Sequence, residues 1–286
     1  MTLSDDEIRP LGTPLYHYTS VEVLQKIYET RKLHATHAAY FNDGSEIRLG
    51  LQVLWDLIET KIKTATGREL GFLTWLRDFV RAESWSFPRV FMLCFSEQRN
   101  LLSQWRGYTP PGRGVCIGFR HDMLTMRAQR AGWQWLSCSY LEASHRSWMG
   151  AYLSLFLKEA LENVDICSVD EVARTVWERN VAHLFACAAH VKDKAFAEER
   201  EWRFVSPPTM TQDKSVKFRV GRYSLVPFLE FDLIDAELPT LPLYEIVVGP
   251  TPDPRSALHA IMSMQLSVRY SDHTRVEPSG IPYREI

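Results

Sequence analysis

The pattern of apolar and polar positions alternates between two periods along this chain. An aromatic and β-branched run at 15–19 (LYHYT) predicts a short strand. Thr19 and Glu22 follow at capping-box spacing, and Val23, Leu24, Ile27 and Tyr28 recur on one helical face. Alternation over 32–40 (KLHATHAAY) predicts a second strand. The turn Asn42-Asp43-Gly44-Ser45-Glu46 then caps a helix carrying Ile47, Leu51, Leu54, Ile58 and Ile62, with a third amphipathic stretch at 71–81. Nearly continuous apolar runs at 90–96 (VFMLCFS) and 114–119 (GVCIGF) read as buried strands, with LSQWRGYTPPGRG as the loop between them.

The second half repeats the alternation of periods. A strand is expected at 135–141, and 147–191 reads as helical throughout, with no proline and no glycine after Gly150. Strand character returns at 201–205, 216–220, 225–231 and 244–248. Asp253 and Pro254 suit the N-cap and first position of a last helix, and short strands are expected at 266–270 and 281–284. Helices and strands do not interleave regularly, so the expected fold class is α+β rather than a doubly wound sheet. The expectation is a mixed or antiparallel central sheet with peripheral helices, in one domain spanning 1–286. The stretch at about 147–191 is a helical insertion within it.

Composition narrows the function classes. Of 286 residues 45% are apolar and 24% charged, the balance of an ordinary globular protein. The net charge of −2 gives the whole molecule no electrostatic reason to collect on nucleic acid or anionic lipid, although Arg99, Arg106, Arg113 and Arg120 fall in one short stretch. Five cysteines (94, 116, 138, 167 and 187) show no CxxC spacing and no clustering with histidine, so free thiols are expected and no metal. The acidic, polar start MTLSDDEIRP and the lack of any long apolar run lead to an expectation of a cytoplasmic protein with no membrane association.

Three segments hold the candidate chemistry. His17 lies between Tyr16 and Tyr18 on a tiny strand, with Thr19 and a helix start just after it, where a side chain can meet a ligand resting on helix amides. A structural histidine bonded to a carbonyl fits the same position. In LLSQWRGY, Gln104 offers amide donors, Trp105 an aromatic face and Arg106 a cation for phosphate or carboxylate. Equally, Trp105 could plug the core while Arg106 pairs with an acid. In FAEEREWRF, Glu199 and Glu201 are two apart and would share one face of an extended chain, leaving Trp202 and Phe204 for the core. No GxGxxG after a strand, GxxxxGK[ST], GxSxG or HExxH is present.

Together LYHYTSVEVLQKI, AYFNDGSE, VFMLCFSE, LLSQWRGY, GRGVCIGF, FAEEREWRF, YEIVVGPTPDP and SGIPYR resemble the bacterial family labelled domain of unknown function 2971, over nearly the whole chain. That resemblance names no reaction. A more distant resemblance, a first-strand His, a Ser on a middle strand and ExE on a late strand, is to the ADP-ribosyltransferase superfamily, whose members split NAD at the nicotinamide glycosidic bond. It implies a split sheet and NAD as substrate, with a protein or nucleic-acid acceptor, or water. It also implies a role as a toxin or phage-defence effector. On this resemblance His17, with neighbours Tyr18 and Thr19, would hold the ribose. Ser96, with Tyr40 as competitor, would shape the nicotinamide pocket, and Glu201 or Glu199 would stabilise the oxocarbenium-like ribose. Glu198, Glu199 and Glu201 each remain candidates for the inward carboxylate. Two other readings stay open: a nucleotide- or nucleic-acid-binding module clamping its ligand with Trp105, Arg106 and Arg113, and a metal-independent hydrolase or nuclease using His17 and the glutamate pair.

Overall fold

The computed structural model describes residues 13–41, 47–81, 90–162, 168–209, 213–221, 223–267 and 274–282. Its strands are β1 (Leu15–Ser20), β2 (Lys32–His37), β3 (Phe91–Ser96), β4 (Gly114–Phe119), β5 (Gln134–Ser137), β6 (Glu201–Val205), β7 (Lys217–Val220), β8 (Leu225–Asp232), β9 (Leu243–Val248) and β10 (Arg275–Pro278). Its helices are α1 (Val21–Thr30), α2 (Arg48–Ile62), α3 (Gly67–Arg81), α4 (Leu102–Tyr108), α5 (His121–Arg130), α6 (Glu142–Glu162), α7 (Val169–His190) and α8 (Pro254–Ser267). The fold is α+β, and its sheet is mixed: every pairing is antiparallel except that of β10 with β9.

The sheet forks at β3. One edge of β3 is taken along its length by β6, from Met92↔Val205 to Ser96↔Glu201. The other edge is shared. β2 pairs only at Phe91 and Met92, and β1 only through Tyr16↔Ser96, so among the described residues no strand pairs with the stretch from Leu93 to Phe95 on that side. From this fork β1 leads to β4, β9 and β10, and β2 leads to β8 and β7.

Strand alternation divides the core. Phe91, Leu93 and Phe95 of β3 and Trp202 and Phe204 of β6 face α1, α5 and α8, which contribute Leu24, Ile27, Leu124, Ala128 and Ile261 to the largest cluster. On the opposite face α4 covers Tyr16, Tyr18, Cys116 and Val247 through Trp105, while α7 covers Met92 and Val205 through Phe185, Ala188 and Ala189. The stretch expected to be helical, 147–191, is α6 and α7. They begin five residues earlier and bury a core of their own with α2 and α3, including Leu54, Phe72, Phe156 and Trp177.

Several local expectations are corrected. Ser20, not Thr19, caps α1, because its side chain reaches the Val23 amide while Thr19 is still within the β1 ladder. The second strand stops at His37 and continues as a 3₁₀ turn over Ala38–Tyr40. LSQWRGY is helical and not a loop. Leu101, Gln104, Trp105 and Tyr108 have helical spacing, and the Trp105 amide already bonds the Leu101 carbonyl. Leu266 and Ser267 continue α8 rather than starting a strand, and the last described strand is β10. The Asn42–Glu46 turn and Cys167 lie outside the described residues, as does most of 266–270.

Candidate functional site

A cavity of about 290 Å³ opens where β1 and β2 part from β3. It is lined from β1 by Tyr16, His17 and Tyr18, from β3 by residues 92–96, and from β2 and its 3₁₀ turn by His34, Thr36 and Tyr40. Gln104 and Tyr108 of α4 line it too, with Glu199, Glu201 and Arg219. Of the sequence candidates, His17, Tyr18, Tyr40, Ser96, Gln104, Glu199 and Glu201 therefore meet around one space. Thr19, Trp105 and Arg106 are not among its lining residues.

The carboxylates sit on a buried ionic base. Glu201 opens β6, whereas Glu199 ends a 3₁₀ turn (Lys194–Glu199) just before it, so the two are not on one extended strand as expected. Arg200 between them takes a left-handed φ of 43°, a conformation that costs a non-glycine residue about 1 kcal/mol and reverses the chain there. Both glutamates are nonetheless buried, at 7% and 5% exposure, because Lys192 Nζ bonds Glu199 Oε2 and Glu201 Oε2 together. Arg203, wholly buried, donates from Nε to Glu201 Oε1 at 3.0 Å and from Nη2 to Oε2 at 3.2 Å. Two cations thus offset two anions, as burial of such groups requires. Glu201 has both oxygens engaged; among the described residues Glu199 shows a side-chain bond at Oε2 only.

Burial lowers the tendency of Lys192 to hold its proton, but the carboxylates of Glu201 and Glu199 outweigh this and keep its pKa above the ordinary lysine value. Burial raises the Glu201 pKa, and the Lys192 ammonium opposes that rise. Burial also drives the neighbouring Cys94 thiol well above its usual range, so it remains a thiol.

His17 fills the fork. Its Nδ1 is 2.9 Å from the Cys94 carbonyl, on the stretch of β3 that no strand pairs with on that edge. A carbonyl can only accept, so Nδ1 carries the proton and Nε2 keeps its lone pair. Burial lowers the pKa of His17, and the nearby Arg219 charge adds to the effect.

Other candidates hold the walls in place. Ser96 Oγ donates to the Glu199 carbonyl and accepts from the Gln98 amide, pinning the turn that bears Glu199. The Tyr18 hydroxyl donates to the Gln98 carbonyl at 2.7 Å and accepts from the Leu101 amide at 2.8 Å, setting the start of α4. Gln104 and Tyr108, four apart on α4, then share the side facing the cavity.

The expected Trp105–Arg106–Arg113 clamp does not assemble. Trp105 is 4% exposed, edge-on to Tyr18, with Nε1 donating to Asn100 Oδ1 at 2.7 Å. A Cβ at Gly249 would come within 2.7 Å of its ring, so the backbone there is packed directly on the indole. Arg106 is on the exposed side of α4, and Arg113 pairs with Glu22. Sequence reading missed Lys192, Arg203, Tyr108 and Arg219. Tyr108 had a usable signal in its i, i+4 relation to Gln104, hidden because the segment read as a loop.

A family model described as protein of unknown function (DUF2971) matches residues 104–204. This stretch is a little over a third of the chain, and it supports the resemblance to that family. It runs from Gln104 through Lys192 and the glutamates to Phe204, while β1 with His17 and β7 with Arg219 lie outside it. Neither the curated proteins nor the solved structures contain a match to the chain. Among the described residues, no group of three or more His, Cys, Asp or Glu is placed to hold a metal ion, and no helix is long and apolar enough to cross a membrane.

Proposed function

We propose that this protein is an NAD-consuming enzyme of the ADP-ribosyltransferase kind, acting in the cytoplasm and transferring ADP-ribose to a macromolecule or to water. The observation that carries this reading is the fork at β3, which brings His17 from one strand, Ser96 from the second, and Glu201 from the third with Glu199 from the turn before it onto one cavity. The volume is near the lower end for ligand pockets, suited to a nicotinamide riboside portion with the remainder of the dinucleotide lying toward the rim.

In the proposed reaction the ribose C1′–nitrogen bond breaks and its electron pair goes to nicotinamide, which leaves neutral. Positive charge develops on the ribose ring. Glu199, with a carboxylate oxygen not engaged by Lys192, faces that charge, where a fixed anion stabilises the transition state more than the ground state. The acceptor then adds to C1′ and gives its proton to the same carboxylate. Glu201 anchors Lys192 and Arg203 and so positions Glu199, and Ser96 does so through the Glu199 carbonyl. Neutral His17 presents Nε2 to a ribose hydroxyl as an acceptor.

The test is release of nicotinamide from NAD, followed by chromatography. Wild type is expected to release it. Glu199→Gln keeps the Lys192 contact through its amide oxygen and should lower kcat about 100-fold or more, with a wild-type circular dichroism spectrum as the check that the variant is folded. Absence of release by wild type, with no NAD binding by calorimetry, overturns the reading; so does a Glu199→Gln variant of full activity.

A further inference from the structure

We infer that Arg219, at the rim of the cavity, forms a subsite for the pyrophosphate group of a dinucleotide. This rests on the reading above for the identity of the ligand and adds the part of it that the glutamates and His17 do not address.

Arg219 is an exposed residue of β7 that also lines the cavity, so it stands where the space meets solvent. Its side chain is fixed in place. Nη2 donates to Thr36 Oγ1 at 2.7 Å, and the guanidinium lies over the Phe228 ring, 5.7 Å from its centre. Phe228 in turn stacks on His34, with ring centres 4.1 Å apart and planes 24° from parallel. Strand alternation places His34, Thr36 and Phe228 on the face of the sheet that carries Cys94 and Ser96, so this arm of the fork is a wall of the same cleft.

The charge balance around Arg219 is what points to an anion. The nearest acids on these strands are already committed. Glu230 bonds both Lys32 and Lys217, and Asp232 pairs with Lys32. At the other end of the cavity Glu199 and Glu201 are offset by Lys192 and Arg203. Among the described residues, the partners of Arg219 are a hydroxyl and an aromatic ring, and no carboxylate pairs with it. A guanidinium tethered at one nitrogen and lacking an anion has its remaining donors available in a planar fork, the geometry that matches phosphate oxygens. His17 and His34 line the same cavity as Arg219.

The experiment is titration calorimetry of the full chain with ADP-ribose, inorganic pyrophosphate and nicotinamide riboside, comparing wild type with Arg219→Ala. Melting temperatures serve as the folding control, and none should change much because the side chain is exposed. Wild type is expected to bind ADP-ribose and pyrophosphate. Arg219→Ala should weaken both by about 10- to 100-fold, the loss typical of one charge-assisted contact, and leave nicotinamide riboside within about twofold. Equal ADP-ribose affinity in the two proteins, or no binding of either phosphate compound by wild type, overturns the subsite. The two proposals fail separately. Nicotinamide release with a KM unaffected by Arg219→Ala removes the subsite and keeps the chemistry. Arg219-dependent pyrophosphate binding with neither NAD binding nor nicotinamide release keeps the subsite and removes the chemistry.

Discussion

Lys192 lies two residues past the end of α7, where the chain turns back toward β6, and its ammonium is the point at which Glu199 and Glu201 meet. Replacing it leaves two buried carboxylates with only Arg203 to offset them. Lys192→Met is therefore expected to cost about 3–5 kcal/mol in urea denaturation. Adding Glu199→Gln to that variant should restore part of the loss, since one of the uncompensated charges is gone. A Lys192→Met protein as stable as wild type would show that the ionic base is not a folding requirement. The two glutamates were legible in FAEEREWRF because four charges run straight into an apolar strand. Lys192 was not, since in VKDK it has the surroundings of any surface lysine, and only the tertiary path puts it beneath them. Trp105 shows the opposite error. An aromatic next to Arg reads as a binding pair, yet adjacent positions on a helix point in different directions, one to the core and one to water.

The helices and strands themselves were mostly legible, and what blurred them was length. β3, β4, β6, β8, β9, α2 and α8 each carry a pattern long or apolar enough to identify, whereas seven-residue α4 is too short for its period to stand out against Gly107 and the following prolines. Contacts between elements depend on features that periodicity ignores. At Gly50 of α2 a Cβ would come within 2.6 Å of the Ala188 Cα on α7, so the two helices cross with their backbones nearly touching. Gly50 has no unusual backbone angle, and its role is purely this approach. Gly50→Ala gains helix propensity of about 1 kcal/mol but forces α2 away from α7, a net loss expected at about 1–3 kcal/mol. Circular dichroism melts would check it; a rise in melting temperature would mean that α2 can shift without penalty.

Across the molecule, partly buried histidines couple stability to pH. His17, His34 and His190 all have their pKa lowered, in each case first by burial, and that of His190 falls to about 4. The folded state therefore binds fewer protons than the unfolded chain between about pH 4 and 6.5. Stability from this source is complete above about 6.5 and is lost as pH falls toward 4. For His190, packed against Trp148, the loss at pH 5 is expected to be about 2 kcal/mol. The melting temperature of wild type should drop between pH 7 and 5, and His190→Phe should flatten part of that drop; an unchanged slope in the variant would assign it to other groups. At this scale the division between sequence and structure is sharp. The sequence by itself determined the α+β class, most strands and helices, and the neighbourhoods of His17 and the glutamates, because alternation, helical period and capping act over a few residues. Only the tertiary structure decided that β1 and β2 share one edge of β3 without meeting, that Lys192 lies under the glutamates, and that Arg219 faces the same cavity. Those placements join residues up to about two hundred positions apart. They follow from which strand edges pair and which buried charges balance, neither of which a local pattern encodes.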